Sequence, residues 1–178
     1  MEQSKEYKKA TDMILKSNFS VKSVKTFWGR DGVGVNANMY YNNKKIGSII
    51  DSGNGGPLDI YYDHRKEYSK AVKDFLSTLP KSDDQHDQED LWNELINEYL
   101  LIKDFKKAMK KIQILHNNEV FTFKKDNKPS RLDRMYNYKG NNGISFREIV
   151  MDRYEQCIIL NDLSHNKALS LFKTHCID

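Results

Sequence analysis

The stretch VGVNANMYYNNKKIGSIIDSGNGGPLDIYY, residues 33–62, decides the fold. Apolar side chains fall at Val33, Val35, Ala37, Met39 and Tyr41, with small or polar residues between them. A two-residue period belongs to a strand with one face on a core and the other in water. Asn42-Asn43 stands where a hairpin needs residues that tolerate positive φ, and Ile46–Asp51 returns as the second strand. The glycine-rich link Ser52–Pro57 leads to a third strand, Leu58–Tyr62. The stretch predicts a three-stranded antiparallel meander.

Upstream, Phe19–Trp28 is rich in Val, Thr and aromatics and predicts a further strand, joined to the meander by the turn GRDGVG at Gly29–Gly34. Before it, Tyr7, Ala10, Met13 and Ile14 stand at helical spacing over Glu6–Lys16. Downstream, Tyr68, Ala71, Val72, Phe75, Leu76 and Leu79 form the apolar stripe of a helix over 65–79. Residues 1–80 thus read as an N-terminal α+β domain, in which a helix covers one face of a small antiparallel sheet.

The polar tract PKSDDQHDQ, Pro80–Gln88, predicts a linker. A long helix over Glu89–Leu115 follows, with Leu91, Trp92, Leu95, Ile96, Tyr99, Ile102, Phe105, Met109 and Ile112 on its buried side. Acids crowd its start and lysines its end (Lys106, Lys107, Lys110, Lys111), as the helix dipole favours. Linker and helix make up residues 81–118, and residues 119–178 read as a small C-terminal α/β lobe. That lobe has a strand at Glu119–Lys125 and a loop over Lys124–Gly143. A capping box of Ser145 and Glu148, with an Ile144–Ile149 staple, opens a helix to about Gln156. A short strand Cys157–Leu160, a turn at Asn161-Asp162 and a last helix capped by Ser164 complete it. The predicted class is α+β.

A chain of 178 residues is long enough to bury a core, and its apolar residues lie in periodic segments, as in a globular protein. No apolar run approaches the roughly 18 residues of a membrane span, and MEQSKEYKKA lacks the apolar centre of a secretory signal. With Cys157 and Cys176 alone, no disulfide framework is indicated, which predicts a reduced, cytoplasmic setting. Cys157, inside CIIL, reads as a buried small hydrophobe. The net charge of +4 is unevenly spread: 13 Lys/Arg face 9 Asp/Glu in residues 1–80, 6 face 8 in 81–118, and 10 face 8 in 119–178. Basic ends permit an anionic partner without demanding one.

The loop DSGNGGP, Asp51–Pro57, admits two readings. Its glycines can turn backbone amides inward as a nest for phosphate, or they can serve a wide turn that needs positive φ and nothing more. It is neither a dinucleotide fingerprint nor a P-loop. Asp51, Asp59, Asp63 and His64 flank it. Carboxylates with a histidine are ligands for Mg²⁺ or Mn²⁺ in phosphodiester cleavage, the metal activating water. Yet Asp59, between Leu58 and Ile60, also reads as solvent-facing, and Asp63-His64 also reads as the N-terminal cap of the next helix. His86, His116, His165 and His175 share no ligand spacing. No catalytic residue or cofactor is assigned, Mg or Mn entering only with a nuclease alternative.

The loop after Phe123 combines Lys124, Lys125, Lys128, Arg131, Arg134 and Lys139 with Tyr136 and Tyr138. Cations beside aromatics suit a surface that tracks a phosphate backbone and stacks on bases, and the same composition suits any solvated loop. Arg30 and Asn54, in the two glycine-containing turns, join these as candidate contact residues.

The order helix, strands, helix and the words NMYYNNKKIGS resemble a double-stranded-RNA-binding domain. That family grips phosphate with a Lys-rich helix start, whereas this helix opens DHRKEYSK, so the likeness is architectural. The string RDGVGVNANMYYNNKKIGSIIDSGNGGPLDIYY is similar to a module in small proteins of phages and mobile elements of low-GC Gram-positive bacteria. The resemblance spans residues 1–80 in recognisable words and implies an accessory protein acting against host defence, as anti-CRISPR inhibitors do. It carries no catalytic residues. The first expectation is a phage-encoded inhibitor in the bacterial cytoplasm, docking on an RNA-guided CRISPR nuclease, with the acidic segment Asp83–Glu98 as a phosphate-like patch. The alternatives are a metal-dependent nuclease on the glycine-rich loop and a plain RNA- or DNA-binding accessory protein. No membrane partner is expected.

Overall fold

The computed structural model describes residues 5–80, 87–125, 128–129 and 146–175. It is an α+β protein of two compact units, residues 1–100 and 101–178.

In the first unit, α1 (Lys5–Leu15) precedes β1 (Phe19–Trp28), β2 (Val33–Tyr41), β3 (Lys44–Asp51), β4 (Asp59–Tyr62) and α2 (Arg65–Leu76). The strands form one antiparallel sheet in the order β1-β2-β3-β4. Asn42 and Asn43, at φ 48° and 63°, make the β2–β3 turn, because asparagine tolerates the left-handed region that a two-residue hairpin requires. One sheet face carries Phe19, Val21, Val24, Ala37, Met39, Ile46 and Ile49 into the core. Helix residues meet them there: Ile14 of α1, Tyr68 and Val72 of α2, and Leu91, Trp92, Leu95 and Ile96 from the start of α3 (Gln88–Ala108). Phe19 sits at the centre, 4.6 Å from Tyr41 in a stack and 5.8 Å from Trp92 edge-on. The Trp92 Nε1–H donates to the Tyr62 hydroxyl at 3.3 Å, so the largest side chain of the core has its polar atom satisfied.

The second unit has β5 (Gln113–His116), β6 (Glu119–Thr122), β7 (Lys124–Lys125), β8 (Lys128–Pro129), α4 (Phe146–Arg153), β9 (Ile158–Ile159), a 3₁₀ turn (Leu160–Asp162) and α5 (His165–His175). Its main sheet has the order β6-β5-β9. One cluster gathers Ile112, Ile114, Phe123, Val150, Cys157 and Ile159, and another gathers Phe105, Leu115, Leu160, Ala168 and Phe172. Burial pushes the Cys157 thiol up, in keeping with its expected role as a small hydrophobe.

Two expectations change. The long helix stops at Ala108, and Gln113–Leu115, expected at its end, belong to strand β5 (Gln113–His116). Asn117 and Asn118, at φ 52° and 65°, turn that strand back as Asn42-Asn43 does in the first unit. Asn161 holds the break: its Nδ2 donates to the Met109 and Lys111 carbonyls at 3.2 and 3.1 Å, and its Oδ1 accepts from the Gln113 N–H at 2.8 Å. The boundary between the two units falls within α3, whose start belongs to the first core. Second, His64 stands at the N-cap of α2 but makes no side-chain cap bond there. The Ser145 capping box lies outside the described residues. Among the described residues no helix is long and apolar enough to cross a membrane.

Candidate functional site

Among the described residues, the helices of the first unit cover one face of the four-stranded sheet and leave the other open. Strand register sets what that face displays, since directly paired residues point the same way. One row across the sheet is Lys22, Asn38, Ser48 and Tyr61, and the next is Lys25, Asn36, Ile50 and Asp59. Tyr40 pairs with Lys45 at one end of the face, and Phe27 pairs with Gly34 at the other. Phe27, Ile50 and Tyr61 are exposed large hydrophobic side chains, Tyr61 at 55%. The Lys22 Nζ lies 4.4 Å from the centre of the Tyr40 ring, a cation–π contact. Three lysines and one aspartate, Asp59, share the face with these aromatics.

Two irregularities create this arrangement. Between Lys22 and Lys25 the β1–β2 register shifts, two residues of β1 standing opposite Ala37, with Ser23 at φ 56°. Without that bulge Lys22 and Lys25 would point to opposite faces; with it both point outward while Val24 enters the core. In β3 the register shifts between Lys45 and Gly47, and the extra residue, Ile46, is fully buried. Beside the β1 bulge lies a shallow depression of about 320 Å³, lined among others by Ser23, Lys25, Asn36, Asn38, Ser48 and Ile50.

At one end of the sheet the two glycine-containing loops interlock. Within the first, the Gly29 N–H donates to the Gly32 carbonyl at 2.8 Å. Between them, the Asp31 N–H donates to the Gly53 carbonyl at 2.8 Å, and the Arg30 N–H donates to Asn54 Oδ1 at 3.3 Å. A Cβ on Gly29 would lie 2.4 Å from the Ser52 carbonyl oxygen, so only glycine allows the approach. Of the two readings of DSGNGGP, this geometry draws on the turn: Gly53, at φ 67°, gives its N–H to Asp51 Oδ1 at 2.8 Å, a carboxylate of the same loop. The Arg30 side chain is 87% exposed and lies 3.9 Å from Asp31. Trp28, 86% exposed, and Val33 pair beside this tip.

The metal-ligand candidates do not converge. Asp51 pairs with Val35 and so belongs to the core-side parity, whereas Asp59 pairs with Ile50 on the open face. Asp63 and His64 follow β4 at its far end, about 13 Å along the strand from Asp59 at roughly 3.3 Å per residue. Among the described residues no three His, Cys, Asp or Glu side chains come together where they could hold a metal ion. Of the basic loop, Lys124 and Lys125 lie in β7 and Lys128 in β8, a short antiparallel pair rather than a loop. Arg131, Arg134, Tyr136 and Lys139 lie outside the described residues.

The open-face residues Lys22, Lys25, Phe27, Tyr40, Lys45 and Tyr61 are not among the sequence candidates. A signal existed in VKSVK, residues 21–25: two Val-Lys pairs spaced by three, out of step with strand alternation, mark a bulge that puts both lysines on one side. No family model, curated protein or solved structure matches the chain.

Proposed function

We infer that this chain is a binding protein, not a catalyst, and that it engages the nucleic-acid part of a host nucleoprotein. The observation that supports this reading is the uncovered sheet face, where Lys22, Lys25 and Lys45 stand among exposed aromatic side chains with Asp59 as the opposing charge. Lysines on a surface attract a phosphate backbone and release its counterions, and aromatic rings beside them offer stacking. The resemblance of residues 33–62 to phage and mobile-element modules directs the reading to an anti-defence inhibitor, with a guide-loaded CRISPR nuclease as the target.

The test incubates the purified chain with a guide-loaded CRISPR nuclease and labelled target, and separately with free RNA and DNA, each with and without Mn²⁺. Loss of target cleavage with the nucleic acids left intact is the expected result. Mn²⁺-dependent cutting by the chain alone, abolished in Asp51→Ala or His64→Ala, would replace the inhibitor with a nuclease. Salt-dependent binding to free nucleic acid without inhibition would leave a plain nucleic-acid-binding accessory protein.

A further inference from the structure

We propose that the open face of the four-stranded sheet is a platform for single-stranded nucleic acid, with Tyr61 and Phe27 stacking on bases and Lys22, Lys25 and Lys45 meeting the backbone. The proposal rests on the binding reading above and names its ligand class.

Each group has a defined place. Tyr40 is already covered by the Lys22 ammonium at 4.4 Å, so the rings open to a ligand are Tyr61 and Phe27. By register they lie three strands and two rows apart, about 20 Å at roughly 4.8 Å between strands and 3.3 Å per residue. Stacked bases rise about 3.4 Å each, so both rings are reached by a strand several nucleotides long whose bases are splayed outward. Between the rings lies the depression beside the β1 bulge, at about 320 Å³ within the range of roughly 300–1,000 Å³ in which pockets hold small ligands. Asn36, Asn38 and Ser48 bring amide and hydroxyl groups to its rim, which can pair with a base edge.

A duplex fits this face poorly. Its bases are stacked and paired, and the deep major groove of A-form RNA closes them to side chains, so flat aromatic rings would meet only sugar and phosphate. A protein partner would use the aromatics but has no general need for the lysines. Cations and rings together favour the single strand, whose phosphates and base faces are both exposed.

The experiment is fluorescence anisotropy of the full chain with labelled dT and U oligonucleotides of about 12 nucleotides, inside the roughly 4–16 spanned by comparable surfaces, and with a duplex of the same length. Single strands should bind more tightly than the duplex. Tyr61→Ala should weaken single-strand binding by about 5- to 150-fold, the range for losing one stacked base, while Tyr61→Phe, which keeps the ring, retains it. Lys22→Gln with Lys25→Gln should flatten the log–log salt slope by about 1.4, at roughly 0.7 per phosphate contact on a single strand. Circular dichroism and urea melts of each variant separate lost binding from lost fold. Preference for the duplex, or single-strand binding untouched by folded Tyr61→Ala, overturns the platform and leaves nucleic-acid engagement standing elsewhere on the chain. Inhibition of the loaded nuclease that Tyr61→Ala abolishes, with no affinity for free nucleic acid, assigns the face to protein and also overturns it. No binding to any nucleic acid and no inhibition removes the proposed function itself.

Discussion

Gly47→Ala is the sharpest perturbation of the sheet that carries the binding face. Gly47 is buried, pairs with Met39 and Tyr62, and follows the Ile46 bulge that sets the register of Lys45 against Tyr40. A Cβ there would stand 1.9 Å from the Tyr61 carbonyl oxygen and 2.8 Å from the Met39 side chain. The methionine end can swing away, but the carbonyl belongs to the neighbouring strand and moves only if β3 and β4 part. Overpacking of this kind costs about 1–3 kcal/mol or more, and a side chain at φ 153° adds backbone strain of about 1–3 kcal/mol. A total near 4 kcal/mol lowers the melting temperature of a unit of this size by on the order of 20 °C, at roughly 4–8 °C per kcal/mol. Two controls calibrate it: Gly55, at φ 71° with open space around it, should show the strain alone, and Gly56, also in open space, should show almost nothing. Urea melts of the three alanine variants should therefore rank Gly47 far below Gly55, and Gly55 slightly below Gly56. A Gly47→Ala midpoint level with Gly56→Ala at unchanged m would refute the close approach of β4 to β3.

Two further outcomes follow from the second unit and from α1. Asn161→Ala should destabilise by about 2 kcal/mol or more, because it strips partners from the Gln113 N–H and from the Met109 and Lys111 carbonyls just past α3, each worth about 1–3 kcal/mol if left unsatisfied; Asn161→Asp, which keeps the acceptor but sets a carboxylate oxygen against those two carbonyls, should destabilise as well, by urea denaturation. The Tyr7 hydroxyl donates to Glu94 at 2.8 Å, and that bond first, then burial, holds its phenol up from 10.0 to about 12. The folded state thus keeps the proton more tightly than the unfolded state. The contribution is present below pH 10 and lost as pH rises from 10 towards 12, so wild type should lose stability more steeply than Tyr7→Phe over that window.

The first unit was legible because its signals were local. Val33 to Tyr41 alternate without interruption and Asn42-Asn43 marks a turn, so strand, partner and register follow from one another. The end of α3 was not, because Phe105, Met109 and Ile112 continue the helical spacing past Ala108. What stops the helix is remote: Asn161, some fifty positions on, takes the Met109 and Lys111 carbonyls just past its end, and β9 offers β5 a partner. The Asn117-Asn118 pair carried the same word as Asn42-Asn43 and was available to overrule the periodicity. The candidate site suffered from a different bias. Charge density drew attention to Lys124–Lys139 and glycine to Asp51–Pro57, whereas the face displaying Lys22, Lys25 and Tyr61 is dispersed over forty residues and assembled by pairing. Composition finds clusters along a chain; it does not find rows across a sheet.

The β1 bulge makes the outward chemistry of that strand a matter of counting. Substitution can trade one outward side chain for another, and loss of the single codon for Ser23 would straighten the strand without turning it over: Val24 would face Ala37 alone, and Lys25 and Phe27 would keep their partners Asn36 and Gly34 on the open face. Lineages carrying this sheet are therefore free to vary the letters on the open face, and even to shed the bulge, so long as Lys25 stays opposite Asn36.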